Sequence, residues 1–91
     1  MANIYEKLAK AIMDEVERVI GPVAIVQANT VKGVKATIKD IKIKGDPSKA
    51  LLGLLNAYKT IIGDVAITLA KKGIKPIIEK NPKLKIPNEL K

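Results

Sequence analysis

The chain has 91 residues, a formal net charge of +8, 47% hydrophobic residues and only 2% aromatic residues. This length supports one domain with a single core. The chain contains no cysteine and no histidine, which excludes disulfides, thiolate chemistry and the commonest general base. We therefore expect a non-enzymatic domain without catalytic, cofactor-binding or metal-binding residues.

The start of the chain lacks the basic and apolar regions of a signal peptide. The longest charge-free stretch runs only from 19 to 31, well short of the ~20 apolar residues that cross a bilayer. We expect a cytoplasmic protein with no membrane partner and no small-molecule substrate. Its lysine and isoleucine content without cysteine is typical of a thermophile's intracellular protein, although an AT-rich genome produces the same bias.

The first predicted element is an amphipathic helix over residues 4–20. Asn3 and Glu6 have the spacing of a capping box, and apolar residues recur at intervals of three and four. Gly21 and the proline after it are typical of a helix end. The pattern of 22–31 favours a short buried helix, although its β-branched side chains also allow a strand.

The connector over residues 32–45 is the most ambiguous part of the sequence. Its apolar residues fit a helical spacing, whereas the alternation within 41–44 fits an exposed edge strand. We predict helical turns through about Asp40 and a short extended segment near 41–45.

A second amphipathic helix begins with Asp46 as its cap and Pro47 in its first turn. Its apolar stripe continues to Ile62, and Gly63 is predicted to end it. Gly53 lies inside this helix at a cost of about 1 kcal/mol relative to alanine. We therefore expect another backbone to pass close to Gly53.

The last predicted helix is short and runs from Val65 to Lys72, with Asp64 as its cap and Gly73 at its end. Residues 76–80 are compatible with one further helical turn, which Pro82 is predicted to end.

The tail, residues 83–91, is predicted to be extended and to pack on a single compact helical domain formed by 1–82. This expectation rests on the apolar residues of the tail, which are more stable in a groove of the domain than in contact with water.

The two helix pairs share a pattern at an offset of 42 residues, VIGPVAI from position 19 and IIGDVAI from position 61. Such a repeat arises by duplication or by chance. We predict a mainly α fold of two packed helical hairpins, each a helix–Gly–helix unit, with the extended segment near 41–45. The alternative is a small α+β fold in which 23–28 and 36–44 are strands.

Small side chains follow one face of the second long helix, beside its apolar stripe. Ala50, Gly53 and Ala57 form this face, which we predict to be an interaction face. The apolar surplus of a short chain without catalytic side chains favours a protein-interaction or self-association module. The predicted partner is a second copy of the chain or another protein.

The positive charge lies mainly in two segments. Residues 32–45 carry five lysines against one aspartate. The alternative function is therefore sequence-independent nucleic-acid binding through 32–44 and 71–85. Solubility alone also explains a lysine surplus, and the scarcity of arginine and aromatic residues argues against base readout and stacking. The predicted phosphate contacts are Lys32, Lys35, Lys39, Lys42, Lys44, Lys71, Lys72 and Lys75.

Overall fold

The computed structural model describes residues 3–91. The elements in chain order are α1 (Ile4–Ile20), α2 (Val23–Ala28), β1 (Val34–Ala36), β2 (Ile41–Ile43), α3 (Pro47–Ile62), α4 (Val65–Lys80) and a final 3-10 turn (Asn88–Leu90). The prediction of a mainly α fold with a small extended part is confirmed. The sheet within this part of the chain has two strands.

The α1 helix begins and ends where the sequence predicts. The Asn3 side chain accepts a hydrogen bond from the Glu6 N–H at 2.9 Å, and Glu6 Oε1 accepts one from the Asn3 N–H at 3.3 Å. This capping box satisfies two amide groups that the first turn of a helix otherwise leaves unpaired. Leu8, Ile12 and Val16 then form a fully buried stripe along the helix.

Gly21 and Gly63 form two corners with the same backbone geometry. Their φ angles are 73° and 66°, a region that glycine adopts without the steric cost of a side chain. The Gly21 N–H donates to the Glu17 carbonyl at 2.8 Å, and the Gly63 N–H donates to the Lys59 carbonyl at the same distance. The repeated sequence pattern therefore produces a repeated local structure.

The same offset relates most of the buried side chains of the core. The two units bury matching positions, so each supplies an equivalent apolar face to the other. The buried pairs are Leu8 and Ala50, Ala9 and Leu51, Ile12 and Leu54, Met13 and Leu55, Val16 and Tyr58, Ala24 and Ala66, and Ala28 and Ala70.

Three contacts define how the helices run. Lys72 Nζ lies 3.9 Å from Glu15 Oε2, and Gly73 packs against the backbone of Ala11 four residues earlier in α1. The two helices are therefore antiparallel, and α4 begins beside the end of α1. The buried Tyr58 hydroxyl, near the end of α3, donates to the Ala24 carbonyl of α2 at 2.7 Å. Both corners consequently lie at the same end of the molecule.

The prediction of helical turns through Asp40 is wrong, whereas the extended segment near 41–45 is confirmed for 41–43. The connector forms an antiparallel hairpin in which Val34 lies opposite Ile43 and Lys35 opposite Lys42. The α+β alternative is wrong for 23–28, which is helical.

Side chains from outside the hairpin make hydrogen bonds to both of its outer edges. The Asn29 amide bonds the N–H and the carbonyl of Ala36 at 2.8 and 3.0 Å. On the other edge, Glu6 Oε2 accepts a hydrogen bond from the Ile43 N–H at 2.8 Å. An edge strand needs such partners when it packs against a core, because buried amide groups are costly to leave unpaired.

The predicted end of the last helix at Lys72 is wrong, since α4 continues through Gly73 and Pro76 to Lys80. Within a helix, glycine costs about 1 kcal/mol and proline about 3 kcal/mol relative to alanine. Burial of Ile74 beyond the glycine offsets part of this cost. Asp64 occupies the N-cap position of α4 as predicted, but its side chain makes no capping hydrogen bond.

The prediction that a backbone passes close to Gly53 is wrong. A Cβ added to Gly53 would lie 2.8 Å from Val31 Cγ1, which belongs to a side chain. The close backbone approach is at Gly73 instead, where an added Cβ would lie 2.7 Å from the Ala11 carbonyl oxygen. The glycine expected to end a helix is thus the one that lets two helices meet.

Residues 83–91 lie along the body of the protein. Leu90 is buried, and Leu84 and Ile86 are half-buried against the core. The Tyr5 hydroxyl donates to the Lys85 carbonyl at 3.1 Å, which joins the tail to α1. The tail therefore forms one wall of the surface around the end of α4.

The Glu6 carboxylate makes stability depend on pH. The Ile43 N–H, and less so the Asn3 N–H, holds the pKa of Glu6 below its ordinary value of 4.5, against the opposing effect of burial. A lowered pKa in the folded state stabilises the fold above the unfolded pKa, and this stabilisation is lost as the pH falls. We expect the free energy of unfolding to drop below about pH 4.5 and Glu6→Gln to weaken this dependence.

Urea denaturation over a series of pH values measures this dependence. Glu79→Gln removes an exposed carboxyl and serves as the control. The same pH dependence in Glu6→Gln and in the unmodified protein would contradict the prediction.

Candidate functional site

Four aliphatic side chains are exposed where the two corners meet. Val19, Val23, Ile61 and Val65 have exposed fractions of 57%, 49%, 42% and 53%. They form two pairs at the 42-residue offset, one pair before the corner glycines and one pair after them. We call these four residues the corner surface.

The corner surface continues the core stripes into solvent. Val19 follows the buried Ile12 by two helical turns, and Ile61 follows the buried Leu54 by two turns, so each lies on the buried side of its helix. The next residues, Ile20 and Ile62, are half-buried against the core, whereas Val19 and Ile61 beside them are exposed. The stripes are therefore apolar to their ends, although only their inner parts are buried.

The corner surface carries no net charge, unlike the chain as a whole. Glu17, Arg18, Lys59 and Asp64 are the charged residues of 17–26 and 59–66, and they balance. Within residues 3–91, Lys59 and Asp64 make no ion pair. Lys59 precedes Ile61 on α3, and Asp64 follows it at the corner. Each is therefore available to pair with the opposite charge on a second copy.

All four corner residues belong to the repeated sequence pattern, which does not by itself assign them to a surface. Periodicity shows which side of a helix is apolar, and it does not show where the covering element stops. The signal that identifies the corner surface is the coincidence of apolar residues on both sides of two matching glycines.

The predicted interaction face lies against another part of the same chain. Ala50 is buried, and Gly53 is in contact with Val31. The Ala57 carbonyl accepts a hydrogen bond from Gln27 Nε2 at 3.0 Å. Part of this face is thus covered internally, and its use in self-association stays a prediction.

Two of the predicted phosphate contacts stand directly opposite each other on the outer face of the hairpin. Lys35 and Lys42 are cross-strand partners, and both are exposed. Lys42 Nζ lies 3.8 Å from Asp40 Oδ2, whereas Lys35 has no ion-pair partner in the described part of the chain. Lys39 follows at the hairpin tip, beside the highly exposed Ile38.

The structure places the other predicted lysines around two separate grooves or on an ion pair. Lys32 and Lys44 line a groove of about 730 Å³ at the base of the hairpin. Lys71 and Lys75 line a different groove, between α4 and the tail. Lys72 pairs with Glu15. The two predicted basic segments therefore border different concave surfaces.

In residues 3–91 no cluster of acidic side chains is arranged to hold a metal ion. Nor is any helix of this region both long and apolar enough to cross a membrane. Comparison of the chain with protein-family models, curated proteins and solved structures gave no match. Function must accordingly be inferred from the corner surface and the lysine-bearing grooves.

Proposed function

We propose that the protein is a non-enzymatic, cytoplasmic self-association module that forms a homodimer through the corner surface. The supporting observation is the cluster of four exposed aliphatic side chains in two segments whose charges balance, in a chain with net charge +8. Two strongly basic copies repel each other, so contact is favoured where the local charge is balanced. A two-fold contact that pairs Lys59 of one copy with Asp64 of the other would form this ion pair twice.

The size of the corner surface indicates a reversible dimer. A two-fold contact buries each of the four residues on both copies. At about 1 kcal/mol for each half-exposed side chain, the eight side chains of the pair contribute about 8 kcal/mol, against an association cost of about 4 kcal/mol or more. The remaining free energy of about 4 kcal/mol corresponds to a dissociation constant on the order of 1 mM.

Sedimentation equilibrium across a range of about 0.05 to 5 mM tests the proposal, because this range spans the expected dissociation constant. The unmodified protein should shift from monomer to dimer, and added salt should strengthen the dimer by screening the repulsion between basic copies. The double variant Val23→Glu/Val65→Glu places carboxylates at repeat-equivalent positions of the corner surface. It should weaken the dimer by about tenfold or more, because these charges must be desolvated.

Ile38→Glu is the matched control, because it adds a carboxylate at a side chain that is 81% exposed but lies on the hairpin tip. This variant should dimerise as the unmodified protein does. A strict monomer throughout the concentration range, or equal weakening by Ile38→Glu, would overturn the proposal.

A second candidate function is sequence-independent nucleic-acid binding, which the opposed pair Lys35 and Lys42 favours. Like charges directly opposite in an antiparallel ladder destabilise it. A phosphate backbone across both ammonium groups would remove this repulsion. We expect micromolar binding to duplex DNA at low salt and a steep loss of affinity as salt is added.

On a plot of the logarithm of affinity against the logarithm of salt concentration, the slope is negative. The variant Lys35→Gln/Lys42→Gln should make this slope shallower by about 2. Lys71→Gln/Lys75→Gln makes the same charge change on α4 and shows whether the hairpin is the contact face. No binding at low salt would rule out this second function.

A further inference from the structure

An apolar groove of about 450 Å³ lies between α4 and the C-terminal tail. We call it the tail groove. Its volume falls within the range of about 300–1,000 Å³ that is usual for small-molecule sites. Its aliphatic lining consists of Ile74, Ile78, Pro82, Leu84, Ile86 and Leu90.

Lysines border this aliphatic lining. Lys71 and Lys75 are one helical turn apart on α4, and Lys91 also lines the groove. Within residues 3–91, neither Lys71 nor Lys75 has an ion-pair partner. Glu79 is the acidic residue of the lining. The tail groove therefore combines an apolar interior with exposed positive charge on one wall.

The lining also restricts the chemistry of an occupant. Apart from the charged residues, every lining side chain is aliphatic and offers neither a donor nor an acceptor. A peptide would have to place its amide groups against these side chains without partners, which is costly. A hydrocarbon chain has no such groups, and a single anionic head can reach the lysines.

We propose that the tail groove binds an amphipathic anion, with an aliphatic chain along the isoleucine and leucine side chains and an anionic head at Lys71 and Lys75. This inference goes beyond self-association and involves a different surface. No small-molecule ligand is predicted from the sequence, because one wall of the groove is the part of α4 beyond Lys72, where the predicted helix ends. Lysine stems add apolar contact while their ammonium groups stay in water.

Methyl NMR titration with decanoate, below its micelle concentration, tests the proposal in the intact chain. We expect saturable binding with shifts confined to the isoleucine and leucine methyls of the tail groove. Lys71→Gln/Lys75→Gln should weaken decanoate about fivefold, the effect of losing two exposed charge pairs. Decanol, which has the same chain without the charge, should bind more weakly and be unaffected by this variant.

Lys32→Gln/Lys44→Gln is the matched control, since it removes two lysines from the other groove. It should leave decanoate affinity within about twofold of the unmodified protein. Shifts that spread over the corner surface, binding that does not saturate, or equal weakening by both double variants would overturn the proposal. Dimerisation is measured separately, so failure here is distinguishable from failure of the proposed self-association.

Discussion

Gly33→Ala is expected to lower the free energy of unfolding by about 3 kcal/mol or more, the largest effect of any substitution considered. Gly33 has a φ of +83°, and an added Cβ would lie against the Lys44 carbonyl oxygen, closer than atoms approach in real structures. The Gly33 carbonyl also accepts the Lys44 N–H at 2.7 Å. The backbone can accommodate a methyl group here only by opening the base of the hairpin.

Urea denaturation followed by circular dichroism measures this loss. Gly45→Ala is the matched control, because Gly45 has a φ of +96° but open space around the position of a Cβ. It should therefore cost only the conformational strain, about 1–2 kcal/mol. If both variants lose the same free energy of unfolding, the contact with Lys44 does not contribute to the effect, and the prediction is wrong.

Gly73→Ala is expected to destabilise the protein by about 2 kcal/mol, although alanine is the better helix former. An added Cβ would lie 2.7 Å from the Ala11 carbonyl oxygen and 3.0 Å from Glu15 Cγ. The first contact is with backbone, so relief requires α4 to move away from α1 as a unit. Since interiors are closely packed, that movement loosens the contacts of Ala70 and Ile74 as well.

Gly53→Ala provides the comparison in the same urea experiment. Its added Cβ would meet the Val31 side chain at 2.8 Å, and Val31 lies in a turn that can yield. The gain in helix propensity, about 1 kcal/mol, then offsets most of the steric cost. We expect Gly53→Ala to remain within about 1 kcal/mol of the unmodified protein. A Gly73→Ala protein of unchanged stability would refute the role assigned to this glycine.

Local signals determined the framework of the fold. Asn3 and Glu6 set the start of α1, and Asp46 caps α3, with hydrogen bonds to the Ser48 and Lys49 amides at 2.9 and 3.2 Å. Gly21 and Gly63 ended the two long helices as predicted. These features depend on residues within a few positions of one another, so periodicity, caps and glycine are sufficient to predict them.

The candidate site was predicted only in part. The sequence placed Val19 and Ile61 on apolar stripes, but it could not show that both side chains remain exposed. It singled out Ala50 and Gly53, and the structure sets both beside the segment around Val31. Whether an apolar residue is buried or exposed depends on the length and direction of the helices packed beside it. The sequence of one segment does not contain that information.

The sequence by itself determined the long helices, their corners and the pairing of two similar units. Only the tertiary structure decided the hairpin and the full length of α4. Asn29 and Glu6 supply the hydrogen bonds that make the extended connector stable, and Glu6 lies far from it in the sequence. In α4, packing against α1 overrides the helix-ending tendencies of Gly73 and Pro76. In both places, contacts between distant residues outweigh preferences of about 1–3 kcal/mol per residue, which are all that local sequence expresses.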